Sequence, residues 1–181
     1  MDILHSRALA IVLCAILIVA ASFVGGGATL GALRGQTEAI FTLGDSDGMS
    51  IQGDLNEISA QAFNITRIAE RYLPHDYAGI VSVRQQRDAL GNAATIREKQ
   101  RVTEELLVAV NMLTATLDSV EMSTQSQHLL SSCEREIGSR LTLIAASGYN
   151  QAAMSFNQAL NRFPANILGR AAGVRPLELF E

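Results

Sequence analysis

At 181 residues, with 48% apolar but only 5% aromatic side chains and three prolines, the chain can bury one real core and favours aliphatic helix packing over a β-sandwich. A formal charge of −4 argues against non-specific nucleic-acid binding, which requires a basic face. Two cysteines, Cys14 and Cys133, exclude a disulfide framework and form no Cys-x-x-Cys pair.

Residues 1–7 form a short N-terminal segment. Between Arg7 and Arg34, residues 8–33 carry no charge. As a helix they rise roughly 39 Å, enough to cross a hydrocarbon core of about 30 Å with tilt or overhang. The run predicts a transmembrane anchor. A cleaved signal peptide is the rival, with Arg7 as its basic region and Gly26-Gly27-Ala28 as the small-residue site, although the stretch is long for one. Cys14 does not suit lipid attachment, because bulky Val12 and Leu13 precede it. Beyond the run, residues 35–181 hold the chain's 14 basic residues less Arg7 and Arg34, and its 18 acidic residues less Asp2, a net of −5. That balance suits translocation better than contact with anionic lipid.

Gly27, Gly31 and Gly35 repeat at four-residue spacing. In a membrane helix they make a groove that a second helix can approach closely. The plainer reading is that they loosen the outer end of the span. They are no phosphate loop, since Ala32 and Leu33 follow Gly31 where lysine and Ser/Thr are needed. Residues 34–50 read as a juxtamembrane linker with its clearest break at 43–50. Asp45-x-Asp47 starts like a calcium loop, but Met49, Ser50 and Asn56 occupy positions that require an oxygen ligand, a glycine and a glutamate. A turn is predicted there.

From Ile51 the apolar positions step through Leu55, Ile58, Ala62, Ile65, Ala69 and Tyr72 in alternating fours and threes. They predict a helix over about 52–73, stopped by Pro74. Residues 78–90 predict a shorter helix ending at Gly91-Asn92. Leu106, Val110, Leu113, Leu117 and Val120 mark another over 93–120. The last and longest spans 124–162, with Leu130, Cys133, Ile137, Leu141 and Ile144, then Tyr149, Ala153, Phe156, Leu160 and Phe163. The five-residue step from Ile144 to Tyr149 predicts that its packed face rotates. The fold class is all-α: an N-terminal transmembrane helix, then an antiparallel bundle of long helices over 51–181.

Chemistry is sparse. His5 precedes the anchor, His75 sits in a turn, and His128 lacks the i, i+4 spacing to Cys133 or Glu134 that puts two metal ligands on one face. Ser147-Gly148 lacks a nucleophile elbow. Glu104/Glu105 and Glu134/Glu136 are flanked by basic or polar residues and read as solvated faces rather than catalytic pairs. Asn64-Ile65-Thr66 is a mid-helix sequon, read as chance. No catalytic residue, metal or cofactor is expected, and the chain does not read as an enzyme. One cluster stands apart: Asn150, Asn157 and Asn161 run beside the Tyr149–Phe163 stripe, at a spacing that predicts amides fixing helix register through cross-helix hydrogen bonds. A peptide- or lipid-facing surface is the alternative.

The C-terminal run Tyr149-Asn150-x-x-Ala-x-x-Phe156-Asn157-x-x-Leu160-x-x-Phe163-Pro164-x-Asn166, continuing to Gly173-Val174-x-Pro176 and Phe180-Glu181, resembles the LemA family. Upstream, Asn64, Tyr72 and Val83-x-x-x-Arg87 are similar to family segments at looser fit. Glu57-Ile58, Phe63 and Ala146 depart from the pattern, which marks a divergent member. The resemblance implies a bacterial source, a single-pass anchor and an exported helical domain, with no established catalytic residue. Some members are associated with a membrane zinc protease, others with shaping internal membranes. The expected function is a membrane-anchored, non-enzymatic adaptor or scaffold at the bacterial cell-membrane surface, with its C-terminal domain extracytoplasmic. The anchor would raise weak contacts by confining them. Expected partners are membrane lipid, a membrane or envelope protein and a second copy of the chain, but no nucleic acid. The alternatives are a self-assembling membrane organiser and an accessory to a membrane protease. Phe163-Pro164 is expected to end the last helix, with Leu177, Leu179 and Phe180 folding back over an apolar end.

Overall fold

The computed structural model describes residues 2–44 and 50–180. Among them are seven helices and no strand: α1 (Asp2–Leu43), α2 (Ile51–Ala69), α3 (Ala78–Asn92), α4 (Ile96–Asp118), α5 (Thr124–Ala146), α6 (Tyr149–Leu160) and α7 (Ala165–Ala171). Residues 45–49 of the expected turn lie outside the described residues. Three starts are coded by hydroxyl caps. Ser50 accepts from the Gly53 N–H at 2.9 Å, Thr95 from Glu98 at 3.1 Å and Ser123 from Ser126 at 3.2 Å. Each cap satisfies a donor that the helix itself leaves unpaired.

The chain divides into two compact units, one of Met1–Ala39 with Gln151–Leu177, the other of Ile40–Asn150 with Glu178–Glu181. In the second unit α2 packs most extensively on α5 and α3 on α4, and α2 also meets α3 and α4. The short connections over 70–77, 93–95 and 119–123 make successive helices antiparallel. Ile51, Leu55, Ile58, Ala62, Ile65 and Ala69 are all buried, which is the stripe read from their spacing. Ile80, Val83, Leu106, Leu113 and Leu117 close the same core. Two carboxylates at its edge are compensated: Asp54, buried, receives Arg140 at 3.3 Å, and Glu70, its side chain 7% exposed, accepts from Arg84 and, at 2.8 Å, from Arg67.

In the first unit α7 lies against α1 at a glycine notch. A Cβ on Gly26 would come 2.7 Å from Leu168, and one on Gly27 equally close to Ala172 Cβ. Gly169 in turn lies against Leu160 and Leu30. Gly173, at φ +70°, ends α7, and the Val174 N–H reaches back to Gly169 C=O at 2.9 Å.

Two expectations are corrected. The single helix over 124–162 is two, because Ser147 takes an extended backbone (φ −64°, ψ 143°) and the five-residue step marks a corner, not a rotation. Serine before glycine favours that exit, since neither rewards continuing the helix. Residues 34–43 of the expected linker are helical and continue α1. The side chains of residues 8–10, 12, 15, 16, 18–20 and 22 of the expected anchor, 8–33, lie outside the described set. Among the described residues no helix is long and apolar enough to cross a membrane.

Candidate functional site

The residues singled out at the C-terminus meet an extended tail rather than another helix. In the larger unit Tyr149 is wholly buried and its hydroxyl donates to the Glu178 carbonyl at 2.6 Å. The Asn150 amide does both halves of a peptide's hydrogen bonding: Nδ2 donates to Phe180 C=O, and Oδ1 accepts from the Phe180 N–H at 2.8 Å. Buried Phe180 sets its ring 5.9 Å from Phe41, whose edge meets Tyr149 at 5.3 Å, while Lys99 Nζ stands 5.6 Å from the Phe41 centroid. Glu178 Oε2 accepts the Arg97 N–H at 3.0 Å, placing a carboxylate on an orphan donor at the start of α4.

In the smaller unit Asn157 repeats the clamp on Leu177, donating to its carbonyl at 2.9 Å and accepting its N–H at 2.8 Å. The two amides therefore hold backbone, not helix register, which corrects the expected cross-helix role. An asparagine side chain carries one donor group and one acceptor in the arrangement of a peptide, so it can pair with either an extended segment or a facing amide. Nothing in the seven-residue spacing distinguishes the two. Phe156 is buried, whereas Phe163 and Pro164 are exposed at the corner between α6 and α7. The glycine face is divided: Gly27 is filled by Ala172, while a Cβ on Gly31 or Gly35 would meet open space.

Beside the clamp, a cavity of about 370 Å³ opens between α4 and α5, lined by Leu107, Leu141, Ile144 and Phe180 with Gln100, Thr103, Glu104 and Asn150. Thr103 Oγ1 is bonded to Lys99 C=O at 2.7 Å and Asn150 is committed to Phe180. Glu104, the one carboxylate in the wall, accepts from Gln100 Nε2 at 3.1 Å. Among the described residues no group of three His, Cys, Asp or Glu could hold a metal. His75 Nδ1 stands 3.8 Å from Glu70, which two arginines already engage. Burial pushes the Cys133 thiol up, making it a poor nucleophile. Tyr72 was not foreseen: Ser123 and Ser126 surround its hydroxyl at 3.3 and 2.9 Å and bring it down to about 8. The signal was the serine-rich start of α5, where Ser123 also caps the helix.

Compared with known proteins, residues 51–181 match the profile of the LemA family. No curated protein shows a significant match.

Proposed function

The chain belongs to the LemA family, and from that premise we propose a membrane-anchored, non-enzymatic helical bundle that acts as an adaptor at the bacterial cell-membrane surface, its folded part extracytoplasmic. The observation that carries the reading is the surface of α1. Ile11 is 69% exposed, Leu17 65% and Val24 74%, on a helix whose sequence has no charge over 8–33. Each such side chain in water forgoes about 1–2 kcal/mol that lipid would return. α7 packs on α1 at Gly26 and Gly27, so on this reading the part that crosses is residues 8–24, the most apolar stretch of the uncharged run and roughly 26 Å of helix.

Confinement gives the mechanism. A bundle held at the bilayer meets membrane proteins at a raised effective concentration, so shallow faces suffice for partner capture. Exposed Val108 and Met112 on α4 and Leu129 on α5 are such faces. Self-assembly is the second reading, favoured by the open space around Gly31 and Gly35, which would admit a second copy's helix just outside the bilayer. Crosslinking in cells followed by mild-detergent co-purification separates them. Near-stoichiometric recovery of one other membrane protein supports the adaptor. Oligomers of the chain alone, abolished by Gly31→Leu, support self-assembly. Release of the protein by alkaline carbonate without detergent refutes the anchor on which both depend.

A further inference from the structure

We propose that the corner between α6 and α7 is a lipid-docking surface for an anionic bilayer, with Phe163 and Ile167 entering the interface and Arg162, Arg170 and Arg175 meeting phosphate groups. The proposal rests on the reading of residues 8–24 as the anchor.

Position comes first. α7 sits on α1 at Gly26, Gly27 and Leu30, immediately after the apolar run ends at Val24. At 1.5 Å per residue, Gly26 lies about 3 Å beyond Val24 along the helix axis. The headgroup region extends roughly 5–8 Å on each side of the hydrocarbon core. α7 is thereby held in the headgroup layer by packing that leaves it little freedom to retreat. Four residues after α7, the Arg175 carbonyl accepts Arg34 Nε at 3.1 Å, tying the segment again to α1 about 15 Å beyond Val24, a level from which the Arg175 guanidinium must reach down to the headgroups.

Charge comes second. Residues 151–177 contain three arginines and no acidic residue, inside a chain that is acidic overall. All three are exposed, and none forms an ion pair among the described residues. Guanidinium groups bind phosphate oxygens through paired donors, and an anionic leaflet attracts each of them.

Apolar exposure comes third. Phe163 is 80% exposed and Ile167 49%, four residues apart across the same corner. Aromatic and aliphatic side chains framed by arginines are what an interfacial segment presents to lipid. Net charge over the whole domain argued against lipid contact, but the average conceals a segment of opposite sign at the one place the anchor brings to the surface.

The chain has no tryptophan, so Phe163→Trp, Ile167→Trp and Phe23→Trp each give a sole reporter. Each full-length variant is reconstituted into vesicles of phosphatidylcholine alone or mixed with phosphatidylglycerol, and read by brominated-lipid and iodide quenching. In the mixed vesicles the reporters at 163 and 167 are expected to be quenched by lipid and shielded from iodide. Arg162→Gln, Arg170→Gln and Arg175→Gln should each lower the docked-to-undocked ratio on the order of fivefold. Lipid quenching at 23 with full iodide access at 163 and 167 overturns the docking and leaves the anchor intact. Absence of lipid quenching at all three sites overturns both. Shielding from iodide without lipid quenching at 163 and 167 overturns the proposal in favour of a protein cover.

Discussion

Replacing Asn150 by alanine removes two hydrogen bonds to one residue, Phe180, whose N–H and C=O face nothing else that the clamp supplies. Each neutral bond contributes about 1 kcal/mol net, and a part-buried group left unpaired costs more than the bond itself. The loss is therefore roughly 2–3 kcal/mol, or about 4–12 °C in melting temperature for a chain of this size. Thermal melts of the full-length protein in mild detergent, followed by helical circular dichroism, measure it directly. Asn150→Asp sharpens the test. At neutral pH a carboxylate keeps the bond from the Phe180 N–H but opposes its carbonyl, so the variant should be at least as unstable as alanine. That repulsion raises the carboxyl above the usual value of about 4 in the folded state. A group raised on folding contributes stability that is full below its unfolded value and is lost as pH rises through the folded one. The gap to the unsubstituted protein, taken at each pH, should therefore narrow on acidification. An alanine variant melting within about 1 °C of the original, or an aspartate variant whose deficit does not change with pH, refutes the clamp.

Removal of residues 174–181 takes away both clamped residues and the Phe180 ring, and is expected to cost more than Asn150→Ala by about 2–4 kcal/mol in urea unfolding; an unchanged midpoint reassigns the tail to partner binding. Arg140→Ala leaves buried Asp54 without its guanidinium, and should lower stability by roughly 2 kcal/mol, less than a fully buried pair because Arg140 remains one-fifth exposed. Tyr72 should ionise near pH 8 by phenolate absorbance, and Ser123→Ala or Ser126→Ala should move it back toward 10. Since its folded value lies below the unfolded one, the original should gain stability relative to Tyr72→Phe as pH rises from about 8 to 10; parallel pH profiles contradict that.

The helices were legible because periodicity is a local property. The alternation of fours and threes from Ile51 to Ala69 can bury one stripe only as a helix, and every member of that stripe is buried. Ser50, Thr95 and Ser123 start their helices through backbone chemistry that needs no distant partner, while α2 ends at Ala69, short of the stop expected at Pro74. The family was legible for a related reason: Tyr149-Asn150 and Phe156-Asn157 are short words at a fixed spacing, read without any distant partner. What those words do was not legible. An amide seven residues from another is compatible with a facing helix or an extended strand, and only the tail's path puts Phe180 on Asn150 and Leu177 on Asn157.

The same division runs through the glycines and the arginines. Spacing alone gives Gly27, Gly31 and Gly35 one shared face, yet Ala172 fills the notch at Gly27 and leaves the other two open, because α7 returns to α1 from more than 140 residues away. Sequence also counts three arginines without an acid over 151–177, but a count has no position. α7 escaped notice because two turns of helix are too short to show a period, and its place against Gly26 is a contact between distant parts of the chain. Local patterning thus determined the buried stripes of α2 to α5 and the kinship of the chain. Which amide meets which backbone, and which charges stand where the apolar run ends, was decided by tertiary structure, since both depend on a chain reversal that no local window contains.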